Sequence, residues 1–463
     1  MSRFSVFGAV VAALLMLCAC GEDRTWQYEE KTQHNQWMLG VMKDQYLWAD
    51  ALAGYEPDWK NFFAKPAAFM KTLAGMSGHS DSWSYLETDT LTEDRHERGY
   101  FNHYDSYGMD YALMTDPTRQ TTRQMLRVLT VYPNSPASWA GLKRGDFICA
   151  YDGNKITNAN AAKLSSGIAR TLEVRHVAVN EEESTFYWSD TATVTLEASR
   201  YVEDVAFPVC NTRDCDGTRV GYLLCSRLVS YAVEQGEGAS AGNAYRDQLD
   251  RAMAGLLAAG IDEMLLDLRL CNYGTIDMAQ RLASYVVAPQ ALGQTMLTTF
   301  RNSAHASANR TVPYDTSLGN LGLSRIYIIV GSYTQGAAEW LIHALQCSMG
   351  TENVILVGLA TKGQNVMTEL VAHDYHQRLY PVVAYVGDAN GDYGYSSLTP
   401  TKEVNEQDYV VMGNYGEPDD ILYYTAVANI LGLDQETEES ESSDGSDNSA
   451  DESDNSSGSG SVE

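Results

Sequence analysis

Apolar positions near the start of the chain recur at helical spacing. Trp37, Met38, Val41 and Met42 fall on one face of a helix, and residues 66–73 begin a second helix with Pro66 in its first turn. Residues 24–115 therefore read as an N-terminal helical segment. From about residue 125 the pattern changes. Residues 125–132 are rich in β-formers, the run Pro133-Asn134-Ser135-Pro136 breaks them, and residues 147–151 form another strand before the turn signal Asp152-Gly153. After residue 219, apolar strands alternate with amphipathic helices. Strands are predicted over 220–225, 263–270, 325–331 and 354–359, and helices over 244–259, 276–287 and 335–347. Such alternation, with near-continuous apolar runs, predicts an α/β layer of buried, mostly parallel strands.

Composition separates the two ends from this body. The 463 residues include 61 acids and 32 bases, for a net charge of -29. Residues 434–463 hold eleven acids and no Lys or Arg, so the remainder carries -18 (-29 minus -11). That tail has too little apolar surface to fold and reads as a solvated, disordered appendage. The acidic excess argues against nucleic acid as a partner, because a phosphate backbone calls for a basic surface. At the other end, Arg3 precedes an apolar run over residues 4–17, too short for a permanent membrane span. It ends in Leu17-Cys18-Ala19-Cys20-Gly21, which resembles a bacterial lipobox with Cys20 as the lipidated residue. Residues 1–20 are thus expected to be a lipoprotein signal peptide. The mature chain would be held at the cell envelope, on the outer membrane, either periplasmic or surface-exposed, with acyl chains as its only membrane contact.

Six cysteines remain beyond Cys20. Cys210 and Cys215 flank a polar Asn-Thr-Arg-Asp run that reads as a hairpin loop they could close. Cys225, Cys271 and Cys347 sit in apolar settings and read as small buried hydrophobes, and no zinc spacing of the CxxC type is present.

Several motifs then fall into one order. Ser135-Pro136-Ala137, Ala140 to Asp146 and Asp152-Gly153 resemble the heart of a PDZ domain, in which an open sheet edge accepts a peptide as an added strand. They are followed by Leu265-Leu266-Asp267-Leu268-Arg269, Tyr333 to Glu339, residues 358–366 and residues 390–400. Together these resemble the C-terminal processing (tail-specific) serine peptidase family, in particular its lipoprotein members with a Trp-rich helical start. The resemblance implies a crotonase-like (ClpP-like) α/β peptidase core over 201–433 and an inserted PDZ domain over 120–200. It also implies polypeptide segments or C-terminal tails as partners, with Gly141 and Leu142 at the peptide-binding loop, and no cofactor.

The family's mechanism needs a Ser nucleophile and a Lys base. The family's Thr-x-Ser-Ala-Ser-Glu stretch reads Thr334-Gln335-Gly336-Ala337-Ala338-Glu339 here, which puts Gly336 at the nucleophile. Its Thr-x-Gly-Lys stretch reads Thr361-Lys362-Gly363-Gln364, which puts Gln364 at the base. Glycine has no oxygen to attack with, and a neutral amide cannot take a proton. Thr368 stands where relatives often carry a Gln that orients the lysine. Backbone N–H groups of Gly274 and Ala337 match the oxyanion positions, with Tyr273 intruding where bare backbone is expected. The expectation is a degenerate peptidase site that binds polypeptide without cleaving it. One alternative is an active serine endopeptidase using Lys362 with Ser332 or Thr334. Another is a glycan- or small-molecule-binding cleft drawing on the 29 tyrosines, which would show as several aromatics in one groove. No metal is expected. His373 and His376 read as surface residues, and His343 as a packed or partly exposed histidine. Asp388-Ala389-Asn390-Gly391-Asp392 resembles half a calcium loop but lacks Gly at the sixth position and an acid at the twelfth. Asp267 and Arg269 read as structural, and the oligomeric state is left open.

Overall fold

The computed structural model describes residues 25–58, 63–88, 105–118, 121–180, 185–203, 205–230 and 243–433. The signal segment with Cys20 and the acidic tail lie outside the described residues. None of the described helices is long and apolar enough to cross a membrane.

The N-terminal segment is only partly helical. Helices α1 (Thr25–Gln45) and α2 (Pro66–Gly75) pack together through Met38, Met42, Phe69 and Leu73, with Pro66 at the first position of α2. Strand β1 (Tyr85–Thr88) then leaves this pair to join a distant strand. Strand β2 (Met109–Thr115) belongs elsewhere again: it pairs antiparallel with β3 (Gln124–Val131). The helical reading of 24–115 is corrected, because residues 85–88 and 109–115 are strands and β2 completes the next unit by pairing with β3.

That unit is an antiparallel sheet in the order β2-β3-β4-β5-β6, adding β4 (Phe147–Tyr151), β5 (Arg170–Arg175) and β6 (Ala192–Leu196). Its core is Leu126, Val128, Ile148, Leu172, Val174 and Leu196. Ser135 caps a single helical turn, Pro136–Trp139, that rests on this sheet.

The largest unit begins with an antiparallel hairpin, β7 (Val209–Cys215) and β8 (Thr218–Leu224). From β8 onward the strands run parallel, through β9 (Glu263–Asp267) to β11 (Ile326–Val330) and β12 (Val354–Gly358). Every residue of β11 and β12 is buried, as expected for strands covered on both faces. Helices α3 (Ala244–Ala259), α4 (Ile276–Val286) and α5 (Ala337–Met349) cover one face, and α6 (Ile421–Ile430) the other. A second, antiparallel sheet contains β10 (Thr295–Arg301), β13 (Val366–Thr368) and β15 (Val382–Asp388). Strand β14 (Gln377–Tyr380) pairs with β1, so the N-terminal segment closes over this side of the molecule. The architecture is mixed α/β.

Cys210 and Cys215 do not flank a loop. Both lie on β7, and the turn follows at Asp216-Gly217. Five residues of extended chain separate them by about 17 Å and send them to opposite faces, beyond the ~7 Å Cα separation a disulfide tolerates.

A buried ionic network joins the two larger units. Arg144, of the β2–β6 unit, donates to Glu406 Oε2 at 2.6 Å and to the Gly413 carbonyl at 2.9 Å. Arg269, just past β9, reaches the same Glu406 oxygen at 2.6 Å and also pairs with Asp420 and Asp267. Asp267 and Arg269 are thus structural. Burial acts to raise the Glu406 carboxyl, but the two guanidinium groups outweigh it and hold it below the usual range.

Candidate active-site cleft

Three parallel strands deliver their carboxyl ends to one edge of the sheet, where ligand crevices of α/β folds form. The segment after β9 brings Gly274, the segment after β11 brings Gly336, and the segment after β12 brings Gln364. All three line one cleft of about 870 Å³.

Gly336 precedes α5 with φ 59° and ψ -118°, a conformation that L side chains rarely adopt. A Cβ built there would lie 3.1 Å from Gln364 Oε1 and 3.4 Å from its Cδ. Residues 336 and 364, 28 positions apart, therefore face each other across the cleft. The amide of Gln364 turns back to donate to the Val366 carbonyl at 3.2 Å. Thr368, at the end of β13, lines the same cleft.

Gly274 packs closely against the start of α5. A Cβ there would stand 2.7 Å from Ala337 Cβ and 2.6 Å from Leu228 Cβ. Its neighbours are fixed by a parallel bridge in which Leu228 N–H donates to the Tyr273 carbonyl and Thr275 N–H donates to the Leu228 carbonyl. Ala337 occupies the first position of α5, where the N–H has no partner in the helix ladder. The two positions assigned to an oxyanion hole are thus side by side, next to Gly336. Tyr273 stands beside them as a half-buried ring in the wall.

Glu339 holds the arrangement together. Fully buried, it accepts from Gly336 N–H at 3.1 Å, from Gly363 N–H and Gln364 N–H at 2.6 Å each, and from the Thr361 hydroxyl. Burial pushes its carboxyl above the ordinary range, against these donors, and no cation compensates it among the described residues. In the sequence, Glu339 stands only as the last residue of the Thr334-to-Glu339 motif. Its position three residues after the helix cap is the signal that pointed to this role.

The substitute residues are placed differently. The Thr334 hydroxyl is buried and donates to the Leu268 carbonyl at 2.8 Å while accepting from Gly331 N–H at 2.9 Å. Ser332 and Lys362 are exposed on the cleft rim, and among the described residues no hydrogen bond joins the Lys362 ammonium to either hydroxyl. Gly141 and Leu142 lie in the β2–β6 unit and do not line this cleft. The Leu142 side chain is 5% exposed in that unit's core, so it offers only backbone to a peptide.

The cleft has an aromatic wall gathered from distant parts of the chain. Trp83 and Tyr85 arrive from the N-terminal segment, Tyr380 from β14, and Tyr273, Tyr333 and Trp340 from the α/β unit. Tyr85 and Tyr380 stack with centroids 4.4 Å apart, and Tyr333 is 55% exposed. Their scatter along the chain hides them until β1 pairs with β14.

Comparison with solved structures fits this geometry. The chain is similar to an S41 protease from Bacteroides fragilis at 27% identity, over 86% of this chain and 97% of the other, with a TM-score of 0.74. It also aligns with the photosystem II D1 C-terminal processing protease at 14% identity, over 81% and 93% of the two chains, with a TM-score of 0.46. Mature CPAF aligns at 11% identity over 87% and 96%, with a TM-score of 0.44. The last two likenesses are too remote to carry argument. No family model matches the chain, and no curated protein sequence matches it. The first likeness spans nearly the whole of both proteins, and it gives this chain the fold of an S41 peptidase.

Proposed function

We propose that this chain is a lipid-anchored member of the S41 C-terminal processing peptidases that binds polypeptide in its cleft without cleaving it. One observation carries the reading: positions 336 and 364 face each other, a Cβ built at 336 standing 3.1 Å from Gln364 Oε1, yet they hold a glycine and an amide. Loss of the nucleophile alone in a serine hydrolase removes about 10⁶-fold in turnover. The engaged Thr334 hydroxyl and the exposed Lys362 weigh against a substitute dyad. In this reading Cys20 carries the lipid, the β2–β6 unit acts as a PDZ module, and the paired N–H groups at Gly274 and Ala337 receive a peptide carbonyl.

A fluorophosphonate probe followed by intact mass tests the claim of inactivity. The natural chain is expected to stay unlabelled, and a Gly336→Ser, Gln364→Lys double variant to gain one adduct at residue 336. Labelling of the natural chain at any single residue would overturn the proposal.

The aromatic wall favours a second reading, a cleft for glycans. Stacked and exposed rings in one groove suit sugar faces as well as apolar peptide side chains. Titration with an unstructured peptide and with an oligosaccharide separates the two. Quenching of Trp83 and Trp340 fluorescence by the peptide alone supports the first, and by the oligosaccharide alone the second.

A further inference from the structure

Outside the cleft, metal-capable side chains from two distant parts of the chain meet behind α5. His343 and Cys347 stand one turn apart on that helix and share a face. Asp388 ends β15, and Asp392 follows it across the Asn390-Gly391 turn. One ring nitrogen of His343 and one carboxylate oxygen from each Asp lie within 4.8 Å of one another. The Cys347 sulfur accepts from Asn390 Nδ2 at 3.2 Å.

Asp388 is the informative group. Its side chain is 7% exposed, and no Lys or Arg pairs with it among the described residues. A carboxylate so buried is ordinarily matched by a cation. Here Oδ1 accepts from Asn390 N–H at 2.8 Å and Asp392 N–H at 3.0 Å, which fixes the carboxylate plane. Oδ2 points toward His343 Nε2, 3.8 Å away. That distance is too long for a hydrogen bond; Nε2 instead meets the Asp392 carbonyl at 2.9 Å, so an ion taken up between the two side chains would replace that contact.

We propose that His343, Asp388 and Asp392 form a Zn²⁺ site, with the Cys347 thiol beside it as the nearest further donor. The donor set selects the ion. An imidazole nitrogen with two carboxylates suits Zn²⁺, which is satisfied by three protein ligands and a fourth position. Calcium asks for six to eight oxygens, and the incomplete Asp388-to-Asp392 loop lacks the acid that would supply them. The site's place in the fold indicates its role. Asn365 Nδ2 donates to the Tyr393 carbonyl at 2.7 Å, and the Tyr395 hydroxyl donates to the Gln364 carbonyl at 3.3 Å. An ion tying the 388–395 loop to α5 thus steadies the segment that carries residue 364, without entering the cleft.

The test uses the full chain, stripped with a chelator and titrated with Zn²⁺ and, separately, with Ca²⁺ by calorimetry. One Zn²⁺ per chain is expected, with a rise in Tm on saturation and no heat from Ca²⁺. His343→Gln and the exposed Asp392→Asn should each weaken Zn²⁺ binding at least ~10-fold, about 1.4 kcal/mol. Asp392→Asn is the safeguard against misfolding, since its side chain supports no core. No uptake of Zn²⁺, uptake unchanged in both variants, or preference for Ca²⁺ would each overturn the proposal.

Discussion

Replacing Glu406 by Gln tests whether the buried ionic network joins the β2–β6 unit to the α/β unit. The glutamate side chain is 18% exposed, and the two arginines it serves are each 4% exposed. Arg269 keeps Asp267 and Asp420 after the substitution, but Arg144 loses its one carboxylate partner among the described residues and retains the Gly413 and Leu129 carbonyls with Tyr415. Removing one partner of a buried pair costs ~3–5 kcal/mol, and the surviving contacts put this case near ~3 kcal/mol. The sign with pH follows from the lowered carboxyl. Glu406 stabilises the fold above its unfolded value, ~4.3, and that stabilisation is lost as pH falls through the lower folded value. The gap between parent and Glu406→Gln should therefore be full at pH 7 and close in more acidic solution. Urea titration followed by tryptophan fluorescence at several pH values measures it. The control is Glu417→Gln, whose pair with Arg213 is exposed (38% and 44%) and should cost at most ~1 kcal/mol. If Glu406→Gln falls within ~0.5 kcal/mol of the parent at pH 7, the network does not hold the units together.

Other consequences are direct. Gly274→Ala drives a Cβ to within 2.6 Å of Leu228 Cβ and 2.7 Å of Ala337 Cβ, and should cost ~1–3 kcal/mol by thermal melting; an unchanged melt would show the oxyanion segment to be loose. Gly336→Ser alone places a side chain at φ 59° and should cost ~1–3 kcal/mol, checked by the same melt. Iodoacetamide with peptide mapping should modify Cys210 in the folded chain, while Cys149, Cys225 and Cys271 react only after denaturation. A Cys210–Cys215 disulfide in the same maps would contradict the strand register.

What could be read in advance follows from how local each signal is. Continuous apolar runs at β11 and β12 announced parallel strands, because burial on both faces removes the alternation that an antiparallel strand shows. Once those strands are parallel and adjacent, the segments after them must meet, and the register of Gly336 and Gln364 becomes a spatial prediction. Signals that depend on distant pairing stayed hidden. Strand β2 reads as part of a helical segment because its partner, β3, lies across a break. Tyr85 and Tyr380 carry no mark of a shared wall until β1 and β14 pair. Glu406 and Arg144 are separated by 262 positions and find each other only when two units dock.

The two altered positions differ in what their residues ask of the fold. A serine at 336 would need the same left-handed backbone with a Cβ pressed toward residue 364, and a basic lysine at 364 would need to sit neutral against buried surroundings. Both demands are strain that a peptidase tolerates because the chemistry requires it. Glycine adopts φ 59° freely, and an amide desolvates far more easily than an ammonium while still donating to the Val366 carbonyl. Glu339, by contrast, is a costly buried carboxylate, and it binds backbone N–H groups on both sides of the cleft. Residues 336 and 364 thus ask little of the fold, while Glu339 fixes the backbone around the cleft, as the proposed binding without cleavage requires.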